Sequence, residues 1–538
     1  MFTQTRRARL FQAKPCLEAL EDRCLLSGNG LQTNLVADLT QIANTAAAVE
    51  QALIASANSA TSGVTQTANT AATAAGTVLQ TNLVSDLPLG DGVLQDPNLV
   101  NPWGISESSG SPFWISDNNA GVSTLYNSVA GATPPAVTIN PLVVNIPTPN
   151  GPTGGTPTGT VFNTGGGAGA FQLPNGKPAT FLFDTEDGTL IGWNGGTQAV
   201  IAKDNSGNNF TEPDPAKQTG AVYKGLAIAN SPTLGPVLYA SNFRSGQIEV
   251  YDSNFNPVKL AAGAFTDPNL PKGYAPFNVS VQVVNNTPKV YVTYAKQDAD
   301  KHDDVAGQGN GFVDVFNLDG TPGMPDGKSV RLISRGVLDS PWGLAIAPQG
   351  FAGLSAPNGD SVLLVGNFGN GFINAFDAST GQFLGNLKDS DGEPIQIDGL
   401  WALQVGNGGA GGAKDTVYFT AGPFGESHGL FGALTTATPG SPEGPAEQQK
   451  VTAVLDVFQL AVQQLNKDLS SGASRATIKQ DIQTLNADFV QLVRAELAFA
   501  ADTIADMNPT GHHGSAGRLE VAVDALFADF GGHEHGRH

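Results

Sequence analysis

Two nearly matching stretches, "SNFRSGQIEVYD" at residues 241–252 and "GNFGNGFINAFD" at residues 366–377, decide the fold of this chain. Each joins a turn rich in glycine to a run in which apolar and polar residues alternate. Alternation with period two is typical of a β-strand that buries one face. The recurrence of the same phrase predicts a chain built from repeated β units.

The complete unit is longer than this phrase and occurs six times. Its first strand is "PWGIS" (102–106), "PTGTV" (157–161), "YKGLA" (223–227), "PFNVS" (276–280), "PWGLA" (341–345) and "LWALQ" (400–404). A second β-rich run and an alternating strand follow in every copy. One such unit has two apolar faces and cannot bury both alone, so the units must stack around an axis. We therefore predict an all-β, six-bladed β-propeller over residues 79–437.

The sixth unit ends near Ala437 without a fourth strand, whereas residues 328–336 supply one in the fourth unit. The stretch "LQTNLVSDL" at residues 79–87 has the pattern of a strand. We predict that it forms the missing outer strand and so joins the first blade to the last.

The segments outside the ring differ from it in composition. Residues 1–28 carry arginines typical of an export signal, but no long apolar run follows them. The segment "LEALEDRCLLS" resembles an N-terminal motif of predicted extracellular bacterial proteins, which implies an extracellular, cell-surface or periplasmic location. Residues 29–78 combine a helical stripe with an Ala/Thr-rich linker.

The C-terminal part is predicted to be helical. After a linker at residues 438–450, apolar residues at helical spacing over residues 451–531 predict a small three-helix unit, and residues 532–538 form a histidine-rich tail. The apolar stripes serve either the core of that unit or oligomerisation.

Charge and composition exclude several classes of function. The formal net charge of −21 argues against nucleic acid as a partner. No apolar run reaches the roughly 18 residues of a transmembrane helix. The two cysteines, Cys16 and Cys24, precede the ring, so we expect no disulfide in it.

Four stretches of the ring resemble an uncharacterised bacterial family of predicted exported, NHL-like propellers, some of which carry a PEP-CTERM sorting tail. They are "TNLVSDL", "DPNLVNPWGI", "YAKQDADKHDDVAGQGNGFVDVF" and "DGLWALQVGNG". The resemblance covers about residues 79–437 and implies the propeller. It implies no activity, because none is assigned to the family.

Polar residues recur at two places that a propeller brings to the same end of the ring, just before the innermost strand and just after the second. They are Asn101, Asp339 and Asp398 before innermost strands, and Asp117, Asn242 and Asn367 after second strands. Their side-chain oxygens suit a hard cation such as Ca²⁺, as in the acidic pocket of lactonase-type propellers. The alternative is that each side chain bonds its own backbone in an Asx-turn.

The insertion "KQDADKHDDVAGQGNG" at residues 296–311 is the most acidic loop of the ring. Its carboxylates are candidate Ca²⁺ ligands, although a hydrated acidic loop has the same composition. They are Asp298, Asp300, Asp303 and Asp304, with His302 beside them.

No metalloprotease, serine-hydrolase or P-loop motif is present in the sequence. We therefore expect an exported binding or scaffold protein rather than an enzyme, with a small molecule, a glycan or a protein as its ligand. The alternative is a metal-dependent hydrolase of the lactonase type at the channel mouth.

Overall fold

The computed structural model describes residues 76–437, apart from residues 90–92, 166–168, 210–211, 213 and 390–391, together with Gln464, Lys467 and Ser471. Those last three residues are helical and exposed. The rest of the predicted three-helix unit, the export segment, both linkers and the histidine-rich tail lie outside the described residues.

Strands make up nearly all the regular structure of the described part. In chain order they are β1 (Val78–Ser85), β2 (Leu94–Gln95), β3 (Pro102–Ser106), β4 (Phe113–Asp117), β5 (Val122–Ser128), β6 (Val137–Ile139), β7 (Val144–Asn145), β8 (Pro147–Thr148), β9 (Gly151–Gly154), β10 (Pro157–Phe162), β11 (Phe181–Thr185), β12 (Thr189–Trp193), β13 (Val200–Asp204), β14 (Tyr223–Ser231), β15 (Gly235–Asn242), β16 (Gln247–Asp252), β17 (Tyr274–Val284), β18 (Thr287–Lys296), β19 (Gly311–Phe316), β20 (Arg331–Ser334), β21 (Pro341–Ile346), β22 (Val362–Asn367), β23 (Ile373–Asp377), β24 (Phe383–Asn386), β25 (Leu400–Val405), β26 (Val417–Ala421) and β27 (Leu430–Thr436). Short 3₁₀ helices occupy Pro215–Lys217, Phe351–Gly353 and Pro357–Gly359. Within the described range, no helix is both long and apolar enough for a membrane span.

The strands form six antiparallel blades, as the repeat predicts. Blade 1 contains β3 to β6 with β7 beside β5, blade 2 contains β10 to β13, and blade 3 contains β14 to β16. Blade 4 contains β17 to β20, and blade 5 contains β21 to β24. Blade 6 has the order β2-β1-β27-β26-β25, and β8 pairs with β9 in a separate hairpin. The innermost strands β3, β10, β14, β17, β21 and β25 contact one another in sequence, and β25 contacts β3. The ring is therefore closed, which confirms the six-bladed propeller.

Closure depends on the strand that precedes blade 1 in the chain. Strand β1 pairs antiparallel with β27 from Val78 opposite Thr436 to Ser85 opposite Leu430. The hydroxyl of Ser85 also donates to the carbonyl of Gly429 at 2.8 Å. This confirms that the stretch 79–87 joins the two ends of the ring.

Each innermost strand changes register against its second strand near its start. Such a bulge re-aims a side chain and leaves backbone groups without ladder partners. In blade 6, Thr420 on the second strand accepts from the amide of Ala402 at 3.1 Å and donates to the carbonyl of Trp103 at 2.5 Å. A Cβ on Gly104 would lie 2.6 Å from the carbonyl oxygen of Thr158 in the next blade. Glycine at this position therefore lets neighbouring innermost strands approach.

Aromatic side chains from these bulged positions pack together at the axis. The ring centroids of Trp103 and Trp401 lie 3.5 Å apart in a stacked arrangement, and Phe368 stacks on Trp401 at 4.0 Å. Trp342 meets both indoles edge-on, at 6.1 and 5.8 Å. All three tryptophans are buried. The axis is thus packed with apolar rings beneath the end of the ring at which the innermost strands begin, which we call the mouth.

Blade 3 has three strands, and the chain that follows it covers the edge of β16. The amide of Val258 donates to the carbonyl of Val250 at 2.8 Å. Further along, Asp267 forms an ion pair with Arg331 of blade 4, whose Nε also donates to the buried Asp314 at 2.6 Å. The loop therefore shields an edge that would otherwise be open to pairing with another chain.

Candidate functional site

Side chains from loops of separate blades meet at the mouth. The side-chain amide of Asn101, just before blade 1, donates to Glu426 of blade 6 at 2.8 Å. Asn118, just after the second strand of blade 1, donates to Glu186 of blade 2 at 2.9 Å. These contacts bear out the expectation that the two kinds of loop lie at the same end of the ring.

A buried ammonium group lies at the centre of this arrangement. Lys224 is the second residue of β14, and its side chain is only 2% exposed. Its Nζ forms ion pairs with Glu186 of blade 2 and, at 3.1 Å, with Asp303 of blade 4. It also lies 5.1 Å from the centroid of the Trp103 ring. One cation from blade 3 therefore bridges carboxylates of the two adjacent blades.

The carboxylates keep this ammonium charged. Burial alone lowers the pKa of Lys224, but the nearby charges of Glu186 and Asp303 outweigh it, and the net pKa is raised above its usual value. Burial likewise raises the pKa of Asp303, but hydrogen bonding to His302 and the charge of Lys224 bring the net pKa well below its usual value. Both partners are thus ionised at neutral pH.

His302 extends the cluster toward solvent. Its Nδ1 lies 2.9 Å from Asp303, and that hydrogen bond is the main cause of its raised pKa. One ligand atom each from Glu186, His302 and Asp303 lie within 4.8 Å of one another. The side chains of His302 and Asp303 are 37% and 66% exposed, so the outer side of the cluster is open to a ligand.

Three further carboxyl groups crowd the same mouth and resist ionisation. Burial, reinforced by the charge of Glu186, raises the pKa of Glu426 to about 7. Burial also raises the pKa of Asp187 to about 6, with Glu186 again adding to the shift. The pKa of Asp304 rises to about 6 mainly through burial. The mouth therefore holds more acidic groups than its single buried lysine can neutralise.

The structure brings together some of the residues predicted as metal ligands. Asp303 and Asp304 lie beside Lys224, and Asn101 holds Glu426. Asp298 has a different role, because its carboxylate accepts from the backbone amide of His302 at 2.9 Å. It organises the loop that presents the cluster.

The other predicted ligands have backbone or local partners, as the Asx-turn alternative expects. Asp117 accepts from the amide of Thr124, Asn242 from the amides of Val222 and Ser245, Asp339 from the amide of Gly307, and Asp398 from the amide of Phe424, while Asn367 donates to the carbonyl of Val337. Asp300 lies in the acidic loop but outside the group formed by Glu186, His302 and Asp303. The ring of pooled oxygens predicted from all these positions is thus replaced by a smaller cluster on blades 2 to 4.

Sequence reasoning missed Glu186, Lys224 and Glu426. A signal for Lys224 was present, because it is the only charged residue among the second residues of the six innermost strands. The others are Trp103, Thr158, Phe277, Trp342 and Trp401. A lysine where most copies of the repeat place an aromatic ring indicates a buried charge and hence a carboxylate partner.

Comparison with known proteins finds relatives but no established activity. The chain is 33% identical over 319 residues to uncharacterized protein R648 of Acanthamoeba polyphaga mimivirus, a match that covers 57% of this chain and 69% of the relative. It is 32% identical over 316 residues to uncharacterized protein L690 of the same virus, covering 57% of this chain and 74% of the relative. No protein-family model matches the sequence. These relatives are viral, and they do not test the bacterial family, the export or the sorting tail that the sequence motifs suggested.

Among solved structures, the chain is similar to the alpha-L-arabinofuranosidase of Fusarium graminearum in complex with arabinobiose. The TM-score is 0.41 with 11% sequence identity, over 66% of this chain and 97% of the enzyme. At this level the likeness concerns the fold, and no activity is transferred to this chain.

Proposed function

Because this chain belongs to the family of the two mimivirus proteins, neither of whose names states an activity, we propose its function from the geometry of the mouth. The protein is a binding protein whose ring captures a positively charged ligand at the cluster of Glu186, His302 and Asp303. The rest of the ring serves as a rigid support that positions the loops of three blades around that cluster.

One observation carries this proposal: the cluster already holds a cation. The ammonium of Lys224 lies between Glu186 and Asp303, so the distances between these carboxylates suit a positive group. Asp303 stays largely exposed, and ligands can reach it from solvent. The net charge of −21 draws cations toward the protein, although this effect weakens with salt.

Melting curves with cationic probes test the proposal. We expect at least one of Mn²⁺, Ca²⁺ and putrescine to raise the melting temperature of the wild-type chain, because a ligand that binds only the folded state stabilises it. The same probe should have little effect on Glu186→Gln. Asp415→Asn, which changes an exposed carboxylate outside the mouth, serves as the matched control and should respond like the wild type. Three probes without effect on the wild type would refute the proposal.

A second candidate function is metal-dependent hydrolysis, because a histidine and two carboxylates form a group beside the acidic Glu426. Three protein ligands and an open side are what a catalytic metal needs. Turnover of lactone substrates in the presence of Mn²⁺ or Zn²⁺, abolished in Glu426→Gln while metal binding persists, would establish it. Binding without turnover leaves the first function.

The location that fits this proposal is outside the cytoplasm, and it is supported by the motif at residues 17–27. Fusion of residues 1–28 to a reporter enzyme that is active only after export tests it. A reporter retained in the cytoplasm would count against export.

A further inference from the structure

We propose that the ligand of the mouth is a divalent transition-metal ion, bound by Glu186, His302 and Asp303 in competition with the ammonium of Lys224. This inference rests on the proposed function and specifies its ligand. It replaces Ca²⁺ ligation by the whole acidic loop, which the sequence suggested, with a smaller site that includes an imidazole.

The donor set decides the kind of metal. Ca²⁺ takes six to eight oxygen ligands, whereas one imidazole nitrogen and two carboxylates suit ions such as Mn²⁺, Fe²⁺ or Zn²⁺. In the structure the three donor atoms lie within 4.8 Å of one another. They come from two separate loops, and His302 and Asp303 are adjacent in the chain.

The acidic loop is shaped to present these two ligands. The carboxylate of Asp298 accepts from the amide of His302 at 2.9 Å, and the amide of Asp298 donates to the carbonyl of Asp303 at 2.8 Å. Lys301 takes a positive φ of 55° between them. The loop thus closes on itself through Asp298, which is a positioning residue rather than a ligand.

An unsatisfied acceptor provides an independent sign of a missing cation. Oδ2 of Asp304, the residue after Asp303, is buried and has no hydrogen-bond partner in the structure. A buried carboxylate oxygen without a partner is costly. A second positive charge at the cluster would stabilise it, which one lysine shared between two other carboxylates does not achieve.

Lys224 can yield its place without losing all its interactions. Its Nζ lies 5.1 Å from the centroid of the Trp103 ring, a distance at which a cation and an indole attract each other. An ammonium that moves away from Glu186 therefore stays against the indole and near Glu426. The lysine acts as a built-in competitor that holds the two carboxylates together until a metal replaces it.

Retention of Mn²⁺ by the full-length chain, measured by electron paramagnetic resonance, tests this inference. Mn²⁺ is chosen because it binds histidine-rich tails more weakly than Zn²⁺ or Ni²⁺. We expect one tightly bound Mn²⁺ per chain, and Ca²⁺ in equal concentration should not displace it. Glu186→Gln and Asp303→Asn should each weaken binding by about tenfold or more.

The two kinds of variant separate this site from the one predicted by composition. Asp300→Asn removes a carboxylate of the same loop but outside the cluster, and its affinity should equal that of the wild type. Lys224→Met should bind Mn²⁺ about tenfold more tightly, because a competing positive charge is gone. Should Lys224→Met fail to fold, Lys224→Arg provides the reverse test, since a guanidinium holds two carboxylates more firmly and should weaken Mn²⁺ binding.

Equal Mn²⁺ affinity in the wild type and Glu186→Gln would overturn the inference, as would weaker binding by a folded Lys224→Met. If putrescine raises the melting temperature through Glu186 while Mn²⁺ is not retained, the metal inference fails and the proposed function stands. If neither binds, both fail.

Discussion

The two ends of the ring bury a charged side chain in opposite ways. At the mouth, the ammonium of Lys224 is buried with two ionised partners. Glu107 follows the last residue of β3 and therefore lies toward the other end. Its Oε2 is buried without a partner, and Oε1 lies 3.5 Å from the amide of Gln404. A Cβ on Gly411 would lie 2.1 Å from Oε2, so a glycine loop presses directly against it.

The difference shows how the surroundings decide the state of a buried group. Lys224 keeps its charge because carboxylates of two other blades surround it. Burial raises the pKa of Glu107 to about 8, and the contact with Gln404 only partly offsets this, so Glu107 is mostly neutral at pH 7. A buried charge held by partners is a candidate binding site, whereas a carboxyl group that stays protonated serves packing.

The largest effect should come from removing the strand on which both ends depend. Deletion of residues 79–90 takes away β1 and leaves the edge of β27 unpaired in blade 6. We expect a marked fall in the melting temperature of the whole ring, measured by circular dichroism. An unchanged melt would mean that closure does not rely on this strand.

Lys224→Met should be the most destabilising single substitution at the mouth. Without the ammonium, Glu186 loses its buried partner, and loss of one member of a buried ion pair costs about 3 kcal/mol or more. Urea unfolding without metal measures this change, and Mn²⁺ should restore part of the loss. Glu107→Gln, which replaces a neutral carboxyl group by an amide of similar shape, is the comparison variant and should be nearly neutral at pH 7.

Glu107 predicts a pH dependence of opposite origin. Its pKa is about 8 in the folded protein against an ordinary 4.5, so between these values the folded state holds a proton that the unfolded chain releases. The stability that this proton confers is complete below pH 4.5 and declines as the pH rises to about 8. Melting temperatures of the wild type and Glu107→Gln across this range should converge at low pH. Over the same interval, the wild type should fall more steeply than the variant. Parallel curves would show that Glu107 does not hold the proton.

The smallest effects should distinguish two aspartates of one loop. Asp298→Asn weakens the hydrogen bond to the amide of His302 and should cost about 1 kcal/mol. Asp300→Asn should change stability by less than about 0.5 kcal/mol, as is usual for a surface substitution. Equal losses in both variants, measured by urea unfolding, would contradict the positioning role of Asp298.

The fold followed from the sequence because its determinants are local and repeated. The alternating runs predicted the strands, and the six copies of the first strand became the six innermost strands. The stretch at residues 79–87 revealed its role because the last repeat lacked an outer strand. A repeat of strands has few other ways to bury both faces of every sheet.

The site was only partly predictable because its members lie far apart in the chain. Lys224 pairs with residues 38 and 79 positions away, on the loops of two other blades. Sequence composition marked the acidic loop but could not separate Asp303, which faces Lys224, from Asp298, which closes the loop on itself. Only the fold of that loop assigns these roles.

The most direct test of a cation site at the mouth is the anomalous scattering of Mn²⁺ in crystals of the full-length chain. The account predicts one peak among the donor atoms of Glu186, His302 and Asp303, stronger in Lys224→Met than in the wild type. A mouth without a peak in Lys224→Met, or a peak beside Asp300 instead, would contradict it.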